Sequence, residues 1–407
     1  MPSLAPDPPA PRAGAIATLT APAGLMTAGV FAALFAAIGA HLPFWPVWLG
    51  DWGLSEAEIG LYLGAAIAAR IAAGVGAPWL ADVLGARRSA LALLALLGAA
   101  AFAAHALVET RAALFGLTLL TAVAISGSVP ISDALSAAAS DRFGFAYAHV
   151  RAFGSAAFLF ANLLAGLAVA WLGSEAALWW IVASLLALAW LALRHPGGAR
   201  GGAVARPRLG DAPRLLRNRA FMLAAAASAL LQAAHGPLYA YGSIHWRAQG
   251  LGDGAVGALW AAGVAAEVAL MLSVGGWISA KLGPWRCFAL SGAVGVARWT
   301  AMALGPSPEA LWALQLTHAL TFAPAHLGAI AFVQAATPPE LRASAQGLVG
   351  PGAGGVAMAA ATFAAAPLYP WIGEGAFGLG AALSLGGIAA ALALRARWDG
   401  ERLRLGA

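Results

Sequence analysis

Apolar stretches about 20 residues long recur along the chain, each ended by a short polar, Pro or Gly break. A run of that length crosses a bilayer core as one helix. Twelve emerge: 23–50, 55–82, 87–107, 111–137, 147–172, 176–194, 218–246, 252–281, 285–304, 308–336, 342–370 and 373–394. Within each half the breaks are short turns. Between the sixth and seventh runs lies RHPGGARGGAVARPRLGDAPRLLRNR, the one long polar linker. The pattern predicts an all-α membrane protein. It divides into a disordered Pro/Ala-rich start (1–22), a six-helix half (23–194), a linker (195–217), a second six-helix half (218–394) and a tail (395–407). The first run lacks the cleavage pattern of a signal peptide and reads as a retained helix.

Composition strengthens this. Charged residues make up 10% of the 407 and apolar residues 61%, against roughly 25% charged in soluble chains. The placement of the basic residues orients the bundle. Of the 23 Lys and Arg, Arg111 and Arg247 fall on one side and Arg70 and Arg298 within spans; the rest share the side of the termini and linker. Basic loops stay inside, so both termini are expected in the cytoplasm and the protein in the inner (plasma) membrane. The net charge of +6 is then a topology signal, and nucleic acid is not expected as a partner. The lone Cys287 excludes an intramolecular disulfide. No Cys/His set has metal-ligand spacing, and no GxxxxGK[ST] loop is present. No cofactor or metal is expected. A membrane enzyme would need a clustered nucleophile and base, which the sequence lacks; a receptor would need an output domain.

The two halves repeat. LSEAEIGLYLGAAIAAR (54–70) aligns with LGDGAVGALWAAGVAAE (251–267), matching the leading Leu, Gly60 with Gly257 and the Ala pairs. Arg70 and Glu267 fall at equivalent positions and are expected to face each other across a pseudo-twofold axis. Two such halves joined by a linker are the plan of facilitator transporters, with solute and ion sites near the midplane.

Ionisable groups at bilayer depth are costly and usually functional. Glu267 sits mid-span in the eighth run and Arg298 in the ninth. Gln315 and His318 share a face of the tenth, with His326 two turns on beyond Pro324. His235 precedes a Gly-Pro break in the seventh, and Gln232 lies one turn back. Glu267, His318, Arg298, His235 and His326 are the candidates for moving a proton; a structural Glu267–Arg298 salt bridge is the plainer alternative. Arg70, too deep to snorkel, is a candidate for binding an anion or pairing with Glu267. His41, Asp133, Gln232 and Gln315 are further solute-binding candidates. In GAHLPFWPVWLGDWG, Pro43 and Pro46 are expected to weaken the first helix. Phe44 and Trp45 either line a pocket for a planar solute or belong with Trp52 to the interfacial aromatic belt. The Gly-rich GLVGPGAGGVAMAAA of the eleventh run suits a sliding seam.

PWLADVLGARR (78–88) is similar to the facilitator loop signature: Asp82, Gly85, Arg87 and Arg88 fit, while Pro78 and Val83 replace its first Gly and an Arg. Its charge latch is thus only partly present, with Arg151 the basic residue on the neighbouring inner segment; Asp82 is alternatively a cap for the following helix. LPFWPVWL, GLSEAEIGLYLGAAIAAR, PISDALS, VRAFGSAAF, LLQAAHGPLYAYGSIHW, VAAEV, VARW and THALTFAPAHLGAIAF resemble the phenylpropionate transporter branch of the major facilitators, whose plan is that of lactose-permease-like proton symporters. The resemblance covers all twelve runs. It implies secondary active transport by a monomer in the lipid bilayer: proton symport of a small organic solute such as an aromatic carboxylate. Efflux of drugs or metabolites, and proton symport of a sugar or nucleoside, are the alternatives on the same fold.

Overall fold

The computed structural model describes residues 21–197 and 212–403, together with Thr18. The expected disordered start and most of the linker lie outside the described residues. Helices α1 (Pro22–Asp51), α2 (Glu56–Val83), α3 (Arg87–His105), α4 (Arg111–Phe143), α5 (Tyr147–Leu172) and α6 (Glu175–Arg194) form the first half. A five-residue turn, Ala212–Leu216, leads into α7 (Arg219–Ala248), α8 (Asp253–Ser273), α9 (Gly275–Ala303), α10 (Pro308–Ala336), α11 (Gly355–Ile372) and α12 (Gly378–Arg397). Ten helical stretches are long and apolar enough to span a membrane, the last of them Ser344–Arg397. That stretch turns at Gly373 (φ 55°) into α11 and α12, and α9 completes twelve by its place between α10 and α12.

Local chemistry sets the boundaries. Ser55 and Glu58 form a reciprocal capping box at the start of α2, satisfying amides the helix cannot. The α2–α3 turn closes on Gly85 (φ 61°), with the Ala86 amide donating to the Ala81 carbonyl. That left-handed C-cap suits glycine and accounts for this glycine of the loop signature. The eighth span bends at Val274 and ends at Gly283 (φ 70°), where Pro284 restarts the chain.

The prolines of the first and tenth runs do not interrupt their helices. α1 runs unbroken through Pro43 and Pro46, and α10 through Pro324. The Gly-Pro break expected in the seventh run is present, α7 dividing into Arg219–Ala233 and Gly236–Ala248 around His235, whereas α10 divides into Pro308–Leu316 and His318–Ala336 at Thr317, which no proline marks. Leu348–Gly354, which feeds α11, is π-helical around Pro351.

Within the halves α1 packs on α5 and α6, α2 on α4, and α9 on α10 and α12; between them α2 meets α11 and α5 meets α8. Lipid supplies no hydrophobic drive between helices, so close approach depends on small residues. Gly60 meets Ala366 and the Tyr241 hydroxyl, Gly64 meets Phe363, and Gly257 meets Gly166 and the Asn162 carbonyl. All lie toward the face opposite the linker, here called distal. The Tyr241 hydroxyl donates to the Glu56 carbonyl there, and Arg247 pairs with Asp51. Toward the linker face a side chain at Gly76, Gly347 or Gly350 would meet no atom within 4 Å. The contacts between the halves named here gather at the distal end.

Candidate functional site

The breaks in α7 and α10 meet. At its break, His235 turns its Nδ1 to the Leu231 and Gln232 carbonyls (both 3.2 Å), and its Nε2 lies 3.1 Å from Thr321 Oγ. Nδ1 therefore carries the proton in the neutral ring, and the Thr321 hydroxyl is shared between Nε2 and the His318 carbonyl (3.1 Å). Broken helices at bilayer depth free backbone groups for polar side chains, a recurrent way of building transporter sites.

From Thr321 the polar chain continues to Arg298 on α9. One guanidinium nitrogen donates to Thr321 Oγ (3.0 Å) and faces His318 Nδ1 (3.3 Å); the other donates to Gln315 Oε1 (2.6 Å). Gln315 in turn donates to the Leu259 carbonyl of α8. Arg298 also lies over the Trp299 ring, 4.5 Å from its centre, and is 2% exposed. A guanidinium has only donors, so His318 must accept at Nδ1 and present its Nε2–H outward. That Nε2 stands 3.4 Å from Glu267 Oε2. Four helices thus hold a polar chain from His235 to Glu267, and α10 supplies three members because 315, 318 and 321 repeat at helical spacing.

His326 joins less directly. Its ring stacks on Phe322 (6.0 Å, 20°), which leans on His318 (5.5 Å). Residues 318, 322 and 326 form one stripe along α10, and His326 is within electrostatic range of Glu267. Tyr239 rests on His235 and is likewise within range of Glu267. Gln232 contributes its carbonyl to His235 rather than its side chain.

Two expected pairings are replaced. Glu267 meets neither Arg298 nor Arg70; His318 intervenes, because α8 turns Glu267 toward α10 of its own half. Arg70, equivalent by the repeat, stays with the first half. Its carbonyl accepts from Ser126, it lies within range of His41, and its buried Nε has no hydrogen-bond partner.

The remaining first-half residues fall into separate groups. Tyr147 donates to Asp133 (2.9 Å), and Arg151 beside them covers the Phe35 face at 4.2 Å. Phe44 and Trp45 are fully buried and do not line an open pocket here. Phe44 packs against Gly166; Trp45 is sandwiched by His41 (5.7 Å) and Trp48 (4.9 Å) against Phe102 and His105. Trp52 sits at the distal edge, donating to the Val108 carbonyl. At the loop signature Asp82 pairs with Arg87 and does not cap α3, whose N-cap is Ala86 without a side-chain bond. Arg88 instead donates to the His195 carbonyl.

The sequence reading missed Thr321, Tyr239, Phe322 and the Asp51–Arg247 contact. Thr321 carried a signal, one turn beyond His318 on the same face. Phe322 carried one too, four residues from both His318 and His326, whereas Tyr239 and the Asp51–Arg247 contact depend on how helices distant in sequence pack.

Residues 25–371 match the model of the MFS_1 like family. The chain is 33% identical over 359 residues, 86% of its length, to the Escherichia coli (strain K12) protein named "Probable 3-phenylpropionic acid transporter", covering 92% of that protein. Among solved structures it is similar to the nucleoside transporter NupG (D323A mutant), with a TM-score of 0.80 and 18% identity over 92% of this chain and 99% of the other. It is also similar to a D-xylose–proton symporter, with a TM-score of 0.65 and 16% identity over 95% and 98% of the two chains. With twelve helices in two halves and a polar chain buried where its helices break, the chain belongs to the MFS_1 like family and is an integral membrane transporter of the major facilitator type, not an enzyme.

Proposed function

We propose that the protein is a proton-coupled symporter of a small organic solute, with an aromatic carboxylate as the favoured substrate class. One observation carries the coupling reading: the buried carboxyl of Glu267 faces the Nε2–H of a histidine whose other nitrogen is held by an arginine. Arg298 keeps its charge, which opposes a second positive charge on His318. A proton arriving here is therefore stored on Glu267, and His318 donates to it once it is ionised. When the halves rock about the midplane, Glu267 passes from one aqueous face to the other and exchanges its proton.

The substrate reading rests on Arg70. A deep guanidinium whose Nε lacks a partner suits a carboxylate, which a planar fork binds at two points. The printed name of the Escherichia coli relative agrees with an aryl-substituted acid, and the likeness to a D-xylose–proton symporter agrees with proton coupling on this fold. In this reading the linker face is cytoplasmic, the protein works as a monomer in the inner membrane, and the state described here opens to the cytoplasm.

The test is uptake by purified protein in liposomes under an inward proton gradient, over aromatic acids, sugars and nucleosides. Gradient-driven accumulation of an aromatic acid is expected. Accumulation of a sugar or nucleoside instead discards the anion site and keeps the coupling. Accumulation of nothing, with drug efflux present, overturns both.

A further inference from the structure

Among the described residues, one charged contact joins the halves at the distal end. Arg247, in the last turn of α7, stands between two carboxylates. Asp253, the first residue of α8, belongs to its own half: its Oδ1 is 2.9 Å from Arg247 Nε, and its Oδ2 accepts from the second terminal nitrogen at 3.4 Å. Asp51 ends α1 of the other half and takes the remaining nitrogen at 3.1 and 3.3 Å. The two partners are unequal in setting. Asp253 is 13% exposed and Asp51 44%.

We propose that this triad is a charge clasp that sets how readily the distal face reopens, with Asp253 positioning the arginine and Asp51 as the point that breaks and reforms in each transport cycle. The geometry assigns these roles. Asp253 and Arg247 lie six residues apart across one turn and travel together, whereas nothing covalent near the contact holds Asp51 to them. Separation of α1 from α7 at the distal end must therefore open the Arg247–Asp51 contact. One further point closes on the same line: Tyr241, stacked on Tyr369 of its own half (4.2 Å, 4°), reaches the Glu56 carbonyl of the other. The clasp is the charged member of that set, so closure should respond to ionic strength. The inference rests on the alternating-access plan of the family and on neither the substrate nor the proton assignment.

The experiment needs no substrate. Spin labels replace Leu107 and Leu304, exposed residues (84% and 79%) on distal loops of opposite halves, with the buried Cys287 changed to Ala. Electron–electron distance distributions are recorded for this parent and for Asp51→Asn and Asp51→Glu. Removing a half-exposed pair is expected to move the closed-to-open ratio about two- to fivefold toward the longer distance. Asp51→Glu should restore the parent ratio. High salt should shift the parent the same way, because it screens exposed pairs, and should leave Asp51→Asn nearly unmoved. If Asp51→Asn matches the parent, or if salt shifts both proteins equally, the clasp is refuted. These distances report closure whatever the uptake assay finds, so failure of the clasp and failure of the symport reading are distinguishable.

Discussion

A single methyl group at Gly257 should prop the distal face open. The Cβ of Gly257→Ala would lie 2.2 Å from the Asn162 carbonyl oxygen of α5 and 3.2 Å from the Gly166 Cα. Ordinary carbon–oxygen contact is about 3.3–3.6 Å, so α8 and α5 must separate by roughly 1 Å where they now touch. The obstacle is backbone on both sides and cannot rotate away. Overpacking of this kind costs about 1–3 kcal/mol, and each 1.4 kcal/mol is a factor of about ten in a ratio of states. The closed-to-open ratio should therefore fall by about 5- to 150-fold, well beyond what loss of the clasp produces. Distance measurement between labels at Leu107 and Leu304 is the assay. Gly116→Ala is the control, since a Cβ at that position of α4 meets nothing within 4 Å. A Gly257→Ala distribution that overlays both parent and control would refute the claim that this seam closes the face. Gly60, its partner in the repeat, should behave alike: its Cβ would meet the buried Tyr241 hydroxyl at 2.1 Å, the Ala366 Cβ at 2.7 Å and the Ala366 Cα at 2.9 Å.

Three further outcomes are expected. Glu267→Gln should abolish gradient-driven accumulation while leaving solute exchange measurable in proteoliposomes; retained uphill transport would remove Glu267 from the coupling. Arg70→Gln should weaken binding of anionic solutes more than neutral ones, by titration of purified protein, and equal loss for both would make Arg70 structural. Gln315→Leu should lower the Tm of the detergent-solubilised protein, because stranding a donor of the buried Arg298 costs about 1–3 kcal/mol; an unchanged Tm would mean that another group replaces the Gln315 oxygen.

The candidate site was legible in part because bilayer burial makes rare residues conspicuous. Glu267, Arg298, Gln315, His318 and His235 stand out in runs of Ala, Leu and Gly, and all five join one polar chain. The pairing within it was not legible. Glu267 and Arg298 read as natural partners by charge, yet His318 separates them, because the rotation of α8 and α10 about their own axes fixes which groups touch. Arg70 and Glu267 failed as a pair for the same reason: equivalence in a repeat fixes depth and leaves open which way each side chain turns. Phe44 and Trp45 show the limit from the other side, since aromatic composition cannot separate pocket wall from core, and here both are core.

What the sequence by itself determined is the class and plan: the number of spans, their division into two halves, the basic bias of one side and the repeat that aligns Gly60 with Gly257. These follow from one-dimensional constraints, namely helix length against bilayer thickness, the energetic cost of charge in lipid and the register of a repeat. The tertiary structure decided which marked positions break a helix, keeping the Gly-Pro break at His235, sparing Pro43 and Pro324 and adding one at Thr317, and at which end the halves meet. Both are properties of packing between helices distant in sequence: a proline's missing amide is tolerated or not according to what its neighbours supply.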